Sequence, residues 1–155
     1  GGVFQATGNH SPATIPAKGR YTFVDFDRFA RRYGVPLRYN PHFPINTLLL
    51  MRGAVGVQAR DPARFADYCA AMFRAIWVES RDMNDAGVVG QALHSAGFDP
   101  QALLTLTQEP DVKAALKAAT EEAVARGVFG APTFFAGDQM FWGQDRIDFL
   151  KEALQ

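Results

Sequence analysis

The sequence predicts an α/β fold in which many helices precede one β-hairpin and a closing helix. Apolar residues recur at helical spacing through most of the chain, and a β-branched and aromatic run begins at residue 128. The pair Gly137-Asp138 is typical of a hairpin turn. The chain has 155 residues, of which 48% are hydrophobic and 21% charged, so it is long enough for one domain with a buried core.

Each element follows from a local pattern. Residues 1–20 are rich in glycine and proline and lack apolar periodicity, which predicts a loop. Helix start and stop signals predict the helices that follow. They cover residues 25–33, 45–59, 61–77, 86–95, 100–106 and 110–126. Strands are predicted over 128–135 and 139–142, and the closing helix begins at Asp145. Because two strands alone are marginally stable, the hairpin is expected to belong to a larger sheet.

Composition and charge exclude several classes of function. The 16 basic and 16 acidic residues give no net charge, which argues against a nucleic-acid-binding face. The longest apolar run, residues 68–73, is far shorter than the roughly 20 residues that cross a bilayer. The single cysteine, Cys69, lies on the apolar stripe of a helix and is interpreted as a core residue. A cytoplasmic protein without a membrane segment is expected.

No metal or phosphate motif is found. The three histidines are scattered, and no Gly-rich phosphate loop or nucleophile elbow is present. Two segments nevertheless have the chemistry of a binding site. Residues 8–12, with Lys18 nearby, combine turn residues, an amide and a cation that suit a small carboxylate, although turn formation alone also explains them.

The second segment combines residues 130–133 with residues 142–146. A proline at the head of a strand is a candidate for a cis peptide bond, which would expose the preceding backbone to a bound chain. A helix start offers free N–H groups to a carboxylate. Helix capping by Gln144 and Asp145 and simple packing of Trp142 are the alternatives. Together, the two features favour a peptide-like ligand.

These motifs, in this order, resemble the 2-hydroxychromene-2-carboxylate isomerases, bacterial relatives of kappa-class glutathione transferases. The resemblance rests on Gly-Asn-x-Ser-Pro at 8–12, Pro-Ala-Lys at 16–18, Tyr-Gly-Val-Pro at 33–36, Phe-Pro-x-Asn-Thr at 43–47, Gly-Val-Phe-Gly-Ala-Pro-Thr at 127–133 and Phe-Trp-Gly-Gln-Asp-Arg at 141–146. It implies a thioredoxin-like domain formed by residues 1–20 and 127–155, interrupted by an all-helical insertion over 21–126. A homodimer is also implied.

The resemblance further implies glutathione as cofactor and a small aromatic carboxylate as substrate. The backbone of Ala131, before a cis Pro132, would pair with the cysteinyl part of glutathione. The γ-glutamyl end would lie at Trp142, Gly143, Gln144 and Asp145, and Asn9 and Lys18 would lie near the tripeptide and its glycyl carboxylate. The aromatic substrate would lie along Phe43 and Asn46.

The implied activity is glutathione-dependent isomerisation in the catabolism of aromatic compounds. The serine that such enzymes use lies in a βαβ unit that is expected to precede residue 1, at least roughly 30 residues long, so no catalytic residue is assigned and the natural polypeptide is expected to be longer. Ser11 belongs to a different loop. A kappa-class-like transferase or peroxidase would share the cofactor site. A DsbA-like thiol-disulfide oxidoreductase would need a Cys-x-x-Cys motif, and a binding module without activity is a further alternative.

Overall fold

The computed structural model describes residues 2–155, which are mostly helical. Eight α-helices occur in this part of the chain: α1 (Gly2–Thr7), α2 (Pro16–Tyr33), α3 (Leu48–Arg60), α4 (Phe65–Trp77), α5 (Ala86–Ser95), α6 (Pro100–Leu106), α7 (Pro110–Ala125) and α8 (Ile147–Ala153). Short 3-10 turns cover Pro12–Thr14, Pro62–Arg64 and Gln144–Arg146. Among the described residues, no helix combines the length and apolar character that crossing a bilayer requires.

The hairpin consists of β1 (Thr133–Ala136) and β2 (Gln139–Trp142), which pair antiparallel. Thr133 lies opposite Trp142, and Ala136 lies opposite Gln139. Gly137 occupies the turn with a φ of 57°, a conformation that favours glycine. The helix α8 packs against both strands, and the guanidinium of Arg126 lies 3.6 Å from the ring centroid of Phe135. The hairpin is therefore anchored both to the end of α7 and to α8.

The core lies among α3, α4, α5 and α6. Its buried side chains include Leu50, Val57, Tyr68, Met72, Ile76, Val89, Leu93 and Leu103. The Tyr68 hydroxyl donates a buried hydrogen bond to the Leu50 carbonyl at 2.9 Å, which joins α4 to α3. At the other end of α3, the Arg60 guanidinium bonds Glu109 at 2.9 Å and Asp111 at 2.5 Å. These bonds raise the pKa of Arg60 and fasten α3 to the start of α7.

The structure confirms the sequence prediction most closely where a side chain caps a helix. Asp85 accepts a hydrogen bond from the Val88 N–H, and Asp99 accepts hydrogen bonds from Gln101 and Ala102, so α5 and α6 begin where predicted. The strand over 139–142 is also confirmed. The predicted cis peptide bond between Ala131 and Pro132 is present, and a second cis bond precedes Pro44.

The predicted loop over residues 1–20 is wrong for most of the described residues in that range. α1 forms there because it packs against α7, a tertiary contact that local glycine content does not reveal. α2 begins nine residues earlier than the predicted 25–33 helix, since Pro16 occupies its first turn, where the missing N–H costs no hydrogen bond. Gly1 lies outside the described residues.

Other element boundaries differ by a few residues. The predicted strand over 128–135 begins only at Thr133, because the chain turns at residues 130–132 and Pro132 has no N–H to donate. The helices predicted from 61 and from 145 each start with a 3-10 turn before α4 and α8. The predicted domain boundary at residue 20 falls inside α2. The division into 1–20, 21–126 and 127–155 stays a prediction.

Substituting Gly53→Ala should destabilise the protein by about 2–3 kcal/mol. A Cβ at position 53 would collide with the Tyr68 hydroxyl and displace it from the Leu50 carbonyl. Urea unfolding of both proteins measures the change.

Gly90→Ala is the matched control. A Cβ at position 90 would lie 3.6 Å from the Pro100 Cβ, an ordinary contact. Because alanine is a better helix former, this variant should gain about 0.5–1 kcal/mol. Equal unfolding midpoints for the two variants would contradict the packing argument.

Candidate functional site

Several predicted site residues meet at one end of the hairpin. The Gly143 N–H donates a hydrogen bond to the Pro132 carbonyl at 3.0 Å, which joins the end of β2 to the start of β1. We call this the hairpin-end cluster. It comprises Asn9, Ala131, Pro132, Trp142, Gly143, Gln144 and Asp145. Its members come from three separate stretches of sequence, so only the folded chain brings them together.

The backbone of Ala131 is available to a ligand. Ala131 is exposed, and within the described residues neither its N–H nor its carbonyl takes part in a hydrogen bond. Its neighbours are satisfied: the Pro132 carbonyl accepts from Gly143, and the Gly130 carbonyl accepts from the Thr133 hydroxyl at 2.7 Å. A single open peptide group beside a strand is a natural place for an extended peptide to pair.

Trp142 lies across the segment that precedes Pro132. Its ring centroid is 4.9 Å from that of Phe129, and the side chain is 49% exposed. A Cβ at Gly130 would come within 2.8 Å of the indole Nε1, so only glycine lets the indole approach this closely. Asn9 also holds this segment, because its side-chain amide donates to the Phe129 carbonyl at 2.8 Å. Asn9 therefore positions the backbone near Ala131.

A carboxylate and an amide occupy the turn after β2. Gly143 has a φ of 106°, and a Cβ there would collide with Oδ1 of Asp145, so this turn requires glycine. Asp145 is exposed and pairs with Arg146 at 2.6 Å. The Gln144 amide donates to the Asp25 carboxylate at 3.3 Å. Asp25, in α2, was not singled out by the sequence, because its link to Gln144 spans 119 positions.

Lys18 lies on the same helix as Asp25. Their separation of seven positions amounts to about two turns, so the two side chains share a face of α2, about 10 Å apart along its axis. Lys18 is exposed, and within the described residues its side chain makes no ion pair or hydrogen bond. An unpaired cation thus lies about 10 Å along α2 from the residue that bonds Gln144.

Phe43 and Asn46 lie in a separate place, the loop between α2 and α3. The Phe43 ring centroid is 5.8 Å from that of Trp77. The Asn46 N–H donates to the Asn84 side chain at 2.9 Å, and its side-chain oxygen accepts from the Leu48 N–H at 3.1 Å. Among the described residues, no hydrogen bond, ion pair or aromatic contact joins Phe43 or Asn46 to the hairpin-end cluster.

Asn40 holds this loop and was not identified from the sequence. It is fully buried, and its amide donates to the Ile76 carbonyl at 3.0 Å and the Arg81 carbonyl at 2.9 Å. Its side-chain oxygen accepts from the His42 N–H at 2.9 Å. Nearby, hydrogen bonds from Asn84 lower the pKa of Asp82. The only sequence signal was an asparagine before Pro41, which is typical of a turn and does not reveal burial.

Cys69 is not part of either place. It lies on α4, half-buried against the core, and burial raises the pKa of its thiol. The core interpretation is confirmed. Within residues 2–155, no group of three or more histidine, cysteine or acidic side chains is placed to hold a metal ion.

Comparisons with known proteins identify similar chains. The model of the DSBA-like thioredoxin domain matches residues 1–155. A 2-hydroxychromene-2-carboxylate isomerase of Sphingobium xenophagum is 30% identical over 151 residues, which cover 96% of this chain and 75% of that protein. Glutathione S-transferase kappa 1 of Rattus norvegicus is 26% identical over 165 residues, covering 99% of this chain and 73% of that protein.

A solved structure is also similar. A crystallised 2-hydroxychromene-2-carboxylate isomerase superposes with a TM-score of 0.82 at 28% identity, covering 98% of this chain and 74% of its own. The similarity extends through the helices as well as the hairpin, since nearly all of this chain is matched.

Asn40→Ala should lower the free energy of unfolding by about 2–4 kcal/mol, because it leaves one buried carbonyl, one partly buried carbonyl and one N–H without their partner. Asn9→Ala serves as the comparison. It removes an exposed amide that donates one long-range hydrogen bond, so its cost is about 1 kcal/mol or less. Chemical denaturation measures both, and equal losses would show that the 40–46 loop does not depend on Asn40.

Proposed function

The chain belongs to the DsbA-like thioredoxin-domain family, and from this membership we propose that it is a glutathione-dependent isomerase of the 2-hydroxychromene-2-carboxylate type. Relatives of this chain are isomerases and glutathione transferases, and the isomerase of Sphingobium xenophagum shares 30% identity with it. The resemblance and the thioredoxin-like fold predicted from the sequence are confirmed. Glutathione, the substrate and the site residues are the parts that we propose.

One observation carries the choice of glutathione. Beside the open peptide group of Ala131 in sequence and fold stand the exposed carboxylate of Asp145, in the turn after β2, and the helix α2, which bonds Gln144 through Asp25 and carries the unpaired cation of Lys18. Glutathione has an ammonium group at its γ-glutamyl end, a peptide middle and a glycyl carboxylate. An extended tripeptide spans about 10 Å, which is close to the two turns of α2 that separate Lys18 from Asp25. The residues present therefore supply the charges and the open peptide group that this cofactor would pair with.

Each residue of the hairpin-end cluster is assigned one contact or one positioning role in glutathione binding. The Ala131 backbone pairs with the peptide of the cofactor, and the Asp145 carboxylate accepts from its ammonium group, shared with Arg146. Gln144, held by Asp25, adds a polar contact at the same end. Trp142 and Asn9 fix the backbone that precedes Ala131 through their contacts with Phe129. When bound, glutathione supplies a thiol that acts as the nucleophile in the isomerisation.

The substrate is assigned to the loop between α2 and α3. Phe43 is partly exposed at 36% and offers a ring face to an aromatic compound. Asn46 offers a side-chain N–H group, because its oxygen is already used by Leu48. Asn40 and Asn84 keep this loop in place. The proposal retains a role in aromatic catabolism, a cytoplasmic location and the homodimer that the resemblance implies.

A kappa-class-like transferase is the second candidate, supported by 26% identity to the rat enzyme. It would use the same cofactor residues with another electrophile. The assay that separates the two compares isomerisation of 2-hydroxychromene-2-carboxylate with conjugation of glutathione to 1-chloro-2,4-dinitrobenzene. Isomerisation that depends on glutathione, without conjugation, supports the isomerase.

Asp145→Asn should weaken glutathione binding by about 5- to 10-fold, because it removes the charge that faces the ammonium group. Titration calorimetry on the whole chain measures the dissociation constants. Asp148→Asn is the matched control, an exposed carboxylate on α8 that pairs with Lys151 instead. Equal affinity of wild type and D145N, or no saturable binding by wild type, would reject the assigned site.

Cys69→Ala should leave glutathione-dependent isomerisation within about twofold of wild type, because a thiol with a raised pKa is mostly protonated at neutral pH. For the same reason, labelling of Cys69 by a disulfide reagent at pH 8 should be slower than that of free cysteine and should accelerate as the pH rises. Loss of activity in the variant would favour a redox role for this thiol.

A further inference from the structure

A groove of about 580 Å³ lies between α1, α3 and α7. Its apolar wall includes Leu48 from α3 and Leu116 and Val124 from α7. Cavities of this size commonly hold small organic ligands. None of the residues to which the cofactor or the substrate was assigned lines this groove.

Cations border the apolar wall on both sides. Arg52 lies one helical turn after Leu48 on α3, and Lys113 and Lys117 lie one turn apart on α7. Lys117 pairs with Glu121 at 3.5 Å. Arg52 and Lys113 are half-buried, and within residues 2–155 their side chains make no ion pair or hydrogen bond. Two half-buried cations beside apolar side chains lack the anion that would offset their desolvation.

We propose that this groove binds a small carboxylate with an apolar body. The carboxylate lies between Arg52 and Lys113, whose donors satisfy its two oxygens. The body packs on Leu48, Leu116 and Val124. The apolar lining disfavours a phosphate dianion, which is more strongly hydrated. This inference does not depend on glutathione or on the proposed reaction.

The test uses 1-naphthoate, with 1-naphthalenemethanol as the uncharged analogue of the same size. Wild-type protein should bind naphthoate at least about tenfold more tightly than the alcohol. Arg52→Gln and Lys113→Gln should each weaken naphthoate binding by about tenfold. Arg32→Gln and Lys151→Gln, which remove exposed cations outside the groove, should leave the affinity unchanged.

Equal affinity for naphthoate and the alcohol overturns the proposal, as does an equal effect of the groove and control variants. Methyl chemical shifts of Leu116 and Val124 in the unmodified chain provide a measurement that needs no variant. They should move on addition of naphthoate, and shifts confined to other methyl groups overturn the proposal.

Asp145→Asn separates this result from the proposed function. It should leave naphthoate affinity unchanged while weakening the affinity for glutathione. The groove proposal and the glutathione-site proposal are therefore tested independently. Competition of naphthoate with the isomerase substrate would place that substrate in the groove and overturn its assignment to Phe43 and Asn46. Binding without inhibition would identify a separate apolar acid as the ligand.

Discussion

The close approach of three helices to α3 is the constraint on which the rest of the structure depends. Gly53 lets the Tyr68 ring lie against α3 and donate to the Leu50 carbonyl, and burial raises the pKa of this tyrosine. One turn along, Gly56 faces Leu106 of α6, where a Cβ would come within 2.8 Å of that side chain. Larger residues at either position would push α4 or α6 outward. Since α3 also contacts α7, the same approach sets the position of the helix that leads to the hairpin.

The hairpin-end cluster is built by backbone more than by side chains. Gly143 supplies both the left-handed conformation and the N–H that reaches Pro132, and Asn9 holds Phe129 through a carbonyl. Such contacts fix the position of Ala131 without using its own peptide group. The backbone around Ala131 is therefore already ordered before any ligand binds. Such pre-organisation lowers the entropy cost of binding.

The features of the fold that the sequence predicted are those that depend on neighbours in the sequence. The ends of α5 and α6 follow from Asp85 and Asp99, whose side chains cap the helices next to them in sequence. The motif residues of the cluster could be named from the sequence because their types and order are specific, and their role in binding stays a prediction. The helix α1 and the buried role of Asn40 were not found, because both depend on partners many positions away, α7 for the first and Ile76 and Arg81 for the second. Asp25 was missed as a partner of Gln144 for the same reason.

Net charge conceals where this protein can meet anions. The chain has equal numbers of basic and acidic residues, yet its ion pairs are not evenly spread. Arg60 is neutralised by two carboxylates, whereas Arg52, two turns earlier on α3, has no acidic partner within the described residues. Lys18 on α2 likewise has no acidic partner within the described residues. A neutral protein thus has separate places of local positive charge, one on α2 and one beside the apolar wall of the groove between α1, α3 and α7.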